Sequence, residues 1–170
     1  GCLNDKGESM PSIESNLKNG FKIIRLHLSY GLRQNNLEIL PIEYDKIELL
    51  NNTSILYCKK DDRYGFFSIE TSKEIPAIYE SLFLLNSNVI SGKTSDKTTL
   101  YDVSDFTVII DNISKANKTQ DNNIVIIYVD NLYYLYDIQR RTKITDGYVK
   151  IIRQPGGTYV VESVDGKTYT

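Results

Sequence analysis

The sequence predicts an all-β protein built from tandem units of about 35 residues, each made of three antiparallel strands. We expect the units to stack as a solenoid or as a partial propeller-like array. Three observations support this. Short apolar or alternating runs are separated by clusters of Asn, Asp, Gly, Ser and Thr. Tyr-Gly and Pro-x-x-Tyr landmarks recur at a nearly constant spacing. No segment sustains the 3.6-residue period of an amphipathic helix.

The composition is that of a globular β protein. Hydrophobic residues make up 41% and charged residues 25% of the 170 residues. The chain contains 13 tyrosines and no tryptophan, and tyrosine and β-branched residues favour strands. The formal net charge is -2. Because the sequence shows no basic stripe either, we expect no nucleic-acid partner.

The repeat is defined by two landmarks. Tyr30-Gly31-Leu32 recurs one unit later as Tyr64-Gly65-Phe66. The Pro-x-x-Tyr landmark recurs at nearly the same interval, first at Pro41 and then at Pro76. Weaker copies of the two landmarks lie at Thr98-Thr99-Leu100, Tyr133-Tyr134-Leu135, Ile110-Asp111-Asn112-Ile113 and Tyr148-Val149-Lys150-Ile151. The regularity is therefore strongest over residues 30–82, and the later copies are candidates for caps.

Each landmark has a physical interpretation. A glycine inside a strand permits a bulge or the close approach of a neighbour, here predicted to be an aromatic ring. Proline donates no amide hydrogen bond, so it suits a strand entry or an edge. The predicted unit runs from a first strand through an Asn- or Ser-rich turn to a second strand, and then through a charged turn to a third strand that begins at glycine. A polar connection then leads to the proline of the next unit.

Two strands are predicted to be covered on both faces. Residues 124–129 and 132–136 are apolar at odd and at even positions. Side chains on a strand alternate between the two faces of its sheet. Stacked sheets therefore explain these runs, whereas a single sheet with one wet face does not.

The landmarks resemble the WG repeat (KWG-type), a bacterial β-repeat family, with tyrosine in place of the signature tryptophan. The resemblance rests on Pro41, Tyr44, Asp45 and Ile47, then on Arg63, Tyr64, Gly65 and Phe66, and then on Pro76 and Tyr79. It implies a repeat that acts as a binding scaffold, often in envelope or secreted proteins. It implies no catalytic site, because the repeat contributes no catalytic residues.

Residues 1–20 are predicted to form a polar N-terminal tether, with a helical turn over 13–17. Residues 21–170 are predicted to form a single β-repeat domain. Cys2, preceded by glycine and followed by a polar stretch, is typical of a lipid attachment site in a bacterial lipoprotein. The alternative is an incidental cysteine. On the first interpretation the protein is lipid-anchored in the cell envelope or secreted, and the lipid is its only link to the membrane; on the second a cytoplasmic location stays open.

Tyrosines are the main functional signal, because their rings offer large, stiff contact area with a polar tip. Most tyrosines at the landmarks, including Tyr64, are interpreted as core between repeats. Four others are predicted to contribute to a ligand surface: Tyr57, Tyr128, Tyr133 and Tyr159.

The sequence offers no catalytic constellation, cofactor motif or metal-ligand spacing. His27 is the only histidine, and no Gly-x-Ser-x-Gly motif accompanies it. Asp102 and Asp137 recur at equivalent positions, which indicates turn capping rather than a unique site. The leading hypothesis is therefore a non-enzymatic module that binds a protein or a glycan.

Two other functions stay open from the sequence. One is a glycan-active hydrolase that uses two carboxylates about 5–9.5 Å apart. The other is an intracellular immunity-type protein that blocks a toxin.

Overall fold

The computed structural model describes residues 2–3 and 9–170 and confirms the predicted fold class: the chain folds into small antiparallel sheets that follow one another along the sequence. It divides into two compact units, one ending at Glu80 and the other running from Ser81 to Thr170. No helix in the described part of the chain is long and apolar enough to cross a membrane.

The first unit contains a two-strand pair and two four-stranded sheets. The short pair is β1 (Cys2–Leu3) with β2 (Ser9–Met10). The first four-stranded sheet consists of β3 (Ser12–Asn16), β4 (Phe21–Leu26), β5 (Ser29–Gln34) and β6 (Leu37–Tyr44), with a 3-10 turn at Lys18–Gly20. The second consists of β7 (Lys46–Leu49), β8 (Ile55–Lys60), β9 (Arg63–Ser68) and β10 (Glu74–Tyr79).

The second unit contains three sheets. The third sheet consists of β11 (Ser81–Leu84), β12 (Val89–Thr94), β13 (Lys97–Asp102) and β14 (Val108–Ile113). The fourth consists of β15 (Lys115–Lys118), β16 (Ile124–Val129), β17 (Leu132–Asp137) and β18 (Thr142–Lys143). The fifth consists of β19 (Lys150–Arg153), β20 (Tyr159–Glu162) and β21 (Thr168–Tyr169).

Each of the first four sheets corresponds to one repeat, with one strand more than the three predicted for the unit. The proline segment, interpreted as a connection and strand entry, forms the outer strand in the first two sheets, β6 and β10. Proline is tolerated there because an edge strand has a neighbour on one side only. A residue whose amide faces the open side donates no ladder hydrogen bond. The outer edge of each of these sheets therefore carries a proline, which has no N–H to donate to a further strand.

The predicted N-terminal tether differs from the structure over its second half. Ser12–Asn16 forms β3 and pairs with β4, where a helical turn was predicted. The segment alternates in polarity weakly, so its strand conformation depends on pairing with β4 rather than on its own pattern. The first sheet thus begins at Ser12.

The core of each unit lies between its consecutive sheets. In the first unit the apolar faces of the first two sheets pack together through residues such as Phe21, Leu32, Leu56 and Phe67. In the second unit the third and fourth sheets pack through Val89, Leu100, Ile113, Val125 and Ile127.

The prediction that β16 is covered on both faces is confirmed. Val125 and Ile127 are fully buried in the core of the second unit, and Ile126, on the opposite face, is 7% exposed.

The charged hairpin turns lie where the sequence placed them. Asp61 and Asp62 link β8 to β9, and both have positive φ, 52° and 59°. Asp130 and Asn131 link β16 to β17 with φ of 53° and 68°. Two consecutive residues of positive φ define the turn that matches the twist of a two-residue hairpin, and Asp and Asn tolerate that conformation best.

Candidate binding surfaces

A basic residue paired with a tyrosine across two strands lies at the hairpin end of each of the first two sheets. Arg25 on β4 faces Tyr30 on β5, and its guanidinium carbon lies 5.7 Å from the ring centroid. Lys59 on β8 faces Tyr64 on β9, with its ammonium nitrogen 5.9 Å from the ring centroid. Both distances are within the range of cation–π attraction. The two pairs are separated by one full unit of the sequence, so the first two repeats share this arrangement. In the third repeat Lys93 faces Thr98 instead.

In the first unit this pair is enlarged into what we call the Tyr57 cluster, defined by Tyr57, Lys59, Tyr64 and Phe66. The rings of Tyr57 and Tyr64 stack with centroids 5.0 Å apart and planes inclined by 23°. Phe66 packs against Tyr57 at 5.7 Å. Tyr57 and Tyr64 are both half-buried, so part of the stack contacts the protein and part faces solvent. Burial is the main cause that raises the pKa of Tyr57, and the nearby Tyr64 and Glu48 add to it.

In the second unit an analogous arrangement forms the Tyr128 cluster, defined by Lys115, Tyr128 and Tyr133. Tyr128 and Tyr133 face each other across β16 and β17, with ring centroids 4.4 Å apart. The ammonium nitrogen of Lys115, on β15, lies 5.3 Å from the Tyr128 centroid and 5.4 Å from the Tyr133 centroid. The cluster thus presents a positive charge and two amphipathic rings in a row across three strands.

The four tyrosines predicted to contribute to a ligand surface are therefore distributed unevenly. Tyr57 belongs to one cluster, and Tyr128 and Tyr133 form the other. Tyr159 is half-buried on β20, opposite Arg153, and contacts no other aromatic ring among the described residues. The structure gives no reason to group Tyr159 with the other three, and its role in binding stays a prediction.

Three side chains that make aromatic or cation–π contacts were missed from the sequence. Tyr64 was interpreted as core because it stands at a landmark, yet it is half-exposed and stacks on Tyr57. Lys115 is distant from Tyr128 along the chain and reaches it only through the pairing of β15 with β16. Lys143 similarly lies 4.1 Å from the ring centroid of Tyr134. The repeat alignment was the signal that could have identified Lys115. Lys115 is the first residue of β15, and Lys46 holds the same position in β7 of the second sheet.

Several charged side chains near the Tyr57 cluster hold the first two sheets together. The ammonium group of Lys60 on β8 forms an ion pair of 2.7 Å with Glu43 on β6 and lies 5.8 Å from the ring centroid of Tyr44. The hydrogen bond to Glu43 raises the pKa of Lys60. The Asp61 amide donates to the Asp45 carboxylate at 3.0 Å. These contacts fix the turn from which the cluster projects.

The recurrent aspartates have the capping role that the sequence indicated. Asp102 accepts hydrogen bonds from the amide of Ser104 at 2.9 Å and from its hydroxyl at 2.6 Å. Asp137 is buried and accepts from the Arg140 amide at 2.9 Å and from the Asn123 side chain at 3.0 Å. Those donors, the Arg140 amide foremost, hold the pKa of Asp137 below its usual value. Within residues 2–3 and 9–170, no three His, Cys, Asp or Glu side chains are grouped so as to hold a metal ion.

Lipid attachment at Cys2 is not tested by the structure. Cys2 belongs to β1, but its side chain lies outside the described part of the molecule. Lipid attachment therefore stays a prediction. Cys58, in contrast, is a buried free thiol in the core of the first unit.

The fold and its clusters define an all-β repeat scaffold with half-exposed tyrosines. No protein-family model matches the chain, and no curated protein matches it. Among solved structures, Hsv2 of Kluyveromyces lactis aligns at 12% identity with a TM-score of 0.40, over 92% of this chain and 59% of Hsv2. The chain thus spans about three fifths of that protein's length.

Two further solved structures align at similar levels. A chain of the mitotic checkpoint complex aligns at 10% identity and a TM-score of 0.36, over 85% of this chain and 56% of the other. The extracellular domain of a putative one-component system from B. thetaiotaomicron aligns at 9% identity with a TM-score of 0.38. The alignment covers 94% of this chain and 26% of the other. Because these TM-scores are low, the three similarities support no functional inference for this chain.

Proposed function

We propose that this chain is a non-catalytic β-repeat module that binds a protein partner through its tyrosine clusters. The observation that carries the proposal is the stacked pair of Tyr57 and Tyr64, half-exposed beside Lys59 on a paired antiparallel sheet. Tyrosine is enriched at protein interfaces because it contributes a large contact area with only two rotatable side-chain bonds. A stacked pair held by strand pairing loses little further entropy when a partner binds.

The Tyr128 cluster supports the same proposal independently. Two rings in contact and one shared ammonium group occupy neighbouring strands of the fourth sheet. Repetition of one chemical arrangement in both units is what a repeat scaffold offers a partner, since each unit presents a similar patch. A partner segment with aromatic or carboxylate side chains would match both the rings and the ammonium groups.

Membership in the WG-repeat family belongs to this proposal. Its support is that the Tyr-Gly and proline landmarks have distinct roles: Gly31 and Gly65 at close backbone approaches, Pro41 and Pro76 on outer strands. Such membership carries the expectation of a bacterial envelope or secreted protein. Immunodetection of the full-length protein in fractionated cells tests that location.

The binding proposal is tested with a phage-displayed peptide library selected on the immobilised full chain. Selected peptides are then titrated by calorimetry against Tyr57→Ala and Tyr128→Ala. We expect at least one variant to lose about fivefold or more in affinity, because truncating a central aromatic at an interface costs more than about 1 kcal/mol. Tyr169→Ala is the matched control, since it removes an exposed tyrosine on β21 that lies outside both clusters.

Two results would count against the proposal. One is a peptide that binds wild type, Tyr57→Ala and Tyr128→Ala with equal affinity. The other is a larger loss in Tyr169→Ala than in either cluster variant. Circular dichroism of each variant confirms that affinity changes do not come from unfolding.

A further inference from the structure

A polar groove of about 460 Å³ opens in the second unit between the ends of the third and fourth sheets. Its walls are built from equivalent positions of two successive repeats. Asn88 and Val103 come from the third sheet, and Asn123 and Ile138 occupy the same positions one repeat further on, in the fourth. This volume is within the range of small-molecule sites.

The groove is held by the backbone. The Val103 amide donates to the Asn88 carbonyl at 3.0 Å, and the Ile138 amide donates to the Asn123 carbonyl at 2.8 Å. The Asn123 side chain is fixed as well, because its amide group donates to Asp137 and its oxygen accepts from the Gln139 amide. The walls are thus set before any ligand binds.

One ion pair crosses the groove. A terminal nitrogen of Arg141 lies 3.2 Å from the Asp102 carboxylate, and the other terminal nitrogen donates to the Ile138 carbonyl at 2.9 Å. The guanidinium and the carboxylate neutralise each other, so the groove carries no net charge from this pair. Each group nevertheless retains unused hydrogen-bonding positions, because a guanidinium has five N–H donors and a carboxylate about four acceptor sites.

Other polar groups in the groove are unused. The side chains of Ser87 and Gln139 are exposed, line the groove and make no hydrogen bond to any other described residue. Beside them lie the apolar side chains of Val103 and Ile138. Hydroxyl, amide, guanidinium and carboxylate groups therefore surround a small apolar floor.

The first unit has a less polar counterpart of this groove. A cavity of about 380 Å³ between residues of its two sheets is lined by Leu17, Leu49 and Ile69 together with Asn16, Lys18, Thr53 and Ser54. The Ile69 amide donates to the Ser54 carbonyl, which is the same contact that Val103 and Ile138 make in the second unit. None of the described residues that line this cavity carries a carboxylate or a guanidinium group, so the ion pair is specific to the groove of the second unit.

We propose that the groove of the second unit binds a neutral sugar residue. Planar amide, carboxylate and guanidinium groups each present two polar atoms, which match pairs of adjacent hydroxyls. The apolar floor suits the C–H face of a sugar ring. Because Arg141 and Asp102 neutralise each other, the groove does not favour an anion or a cation over a neutral ligand. Since none of the described residues that line the groove is aromatic, we expect weak affinity, in the millimolar range.

The test is a ¹⁵N–¹H NMR titration of the full chain with glucose, galactose, mannose and N-acetylglucosamine. We expect at least one of them to shift the amide signals of Val103 and Ile138 saturably. The double variant S87A/Q139A should bind that sugar about five- to tenfold more weakly, which is the effect of one or two net hydrogen bonds. Because both side chains are exposed and unpaired, the variant is expected to fold normally.

Glu70→Ala is the matched control, since Glu70 occupies the equivalent turn position in the first unit and is exposed. It should leave the sugar affinity unchanged. The proposal is overturned if none of the four sugars shifts the groove amides, if S87A/Q139A binds as wild type does, or if inorganic phosphate shifts the same amides at lower concentration than any sugar. None of these outcomes depends on whether the tyrosine clusters bind a protein.

Discussion

A methyl group added to Gly65 would lie 2.5 Å from the carbonyl oxygen of Ile75 on the neighbouring strand β10. The Tyr-Gly landmark therefore marks a backbone contact rather than the predicted approach of an aromatic ring. Gly31 repeats the relationship in the first sheet, where the added carbon would lie 2.9 Å from the Leu40 carbonyl. In both sheets glycine lets the outer, proline-bearing strand approach closely.

Gly65→Ala is expected to destabilise the protein by about 2–3 kcal/mol, the cost of overpacking against backbone that cannot move freely. Chemical denaturation gives the difference in the free energy of unfolding. Thr99→Ala is the control, because Thr99 holds the equivalent position in the third sheet with room for a side chain. Its loss of the hydrogen bond to Asp111 should cost about 1 kcal/mol or less. Equal stability of Gly65→Ala and wild type would show that the contact is not tight in solution.

The sequence predicted the repeat well because its signals are local. Tyr-Gly, Asp61-Asp62 and Asp130-Asn131 each determine a conformation within a few residues. The fourth strand was missed because Pro76 weakens the strand pattern, although proline on an outer edge loses no ladder bond. Lys115 and the half-exposed Tyr64 were missed because their environments depend on register between strands. The groove at Arg141 was also missed, since it forms only where turns of two sheets meet.

Tyr44 should make stability fall at alkaline pH. Burial, followed by the nearby Glu74, raises the pKa of Tyr44 to about 12, from 10.0 in the unfolded chain. Between these two pH values the unfolded state releases the phenolic proton while the folded state retains it. The free energy of unfolding therefore decreases as the pH rises from 10 to 12.

Tyr44→Phe isolates this contribution, because phenylalanine keeps the ring and cannot ionise. Urea unfolding at several pH values should give a shallower decrease for the variant than for wild type. The Cys58 thiol, whose pKa burial raises to about 12, also acts on Tyr44, so the comparison is repeated in a Cys58→Ala background. Parallel curves for the two proteins would contradict the assignment.

The ion pair between Asp102 and Arg141 should contribute modestly to stability. Both side chains are partly exposed, at 28% and 37%, so we expect a coupling energy of about 0.5–1 kcal/mol in a double-mutant cycle with Asp102→Asn and Arg141→Gln. The exposed pair of Lys59 and Asp62 provides the comparison, with coupling near zero expected. If the coupling energy of Asp102 and Arg141 is as small as that of Lys59 and Asp62, the ion pair does not stabilise the groove.

The same pair has a pH signature. Burial alone would raise the pKa of Asp102, but hydrogen bonds from Ser104 and Arg141 outweigh it and leave the pKa below its usual value. The stabilisation is therefore complete above the ordinary aspartate pKa and is lost as the pH falls through the lowered one. Unfolding of wild type and Asp102→Asn, compared between pH 6 and pH 3, should show wild type losing more stability. An opposite sign would exclude the proposed hydrogen bonding.

Lys115 should stabilise the fourth sheet through the rings of Tyr128 and Tyr133. Its ammonium group attracts both rings at a partly exposed site, where such contacts contribute about 0.5–1 kcal/mol. Lys115→Gln should lower the free energy of unfolding by about that amount. Lys118→Gln is the matched control, because Lys118 is exposed on the same strand and contacts no ring among the described residues. Repeating the Lys115→Gln change in a Tyr128→Leu, Tyr133→Leu background should remove the effect. If the loss persists there, Lys115 acts through the strand rather than through the rings.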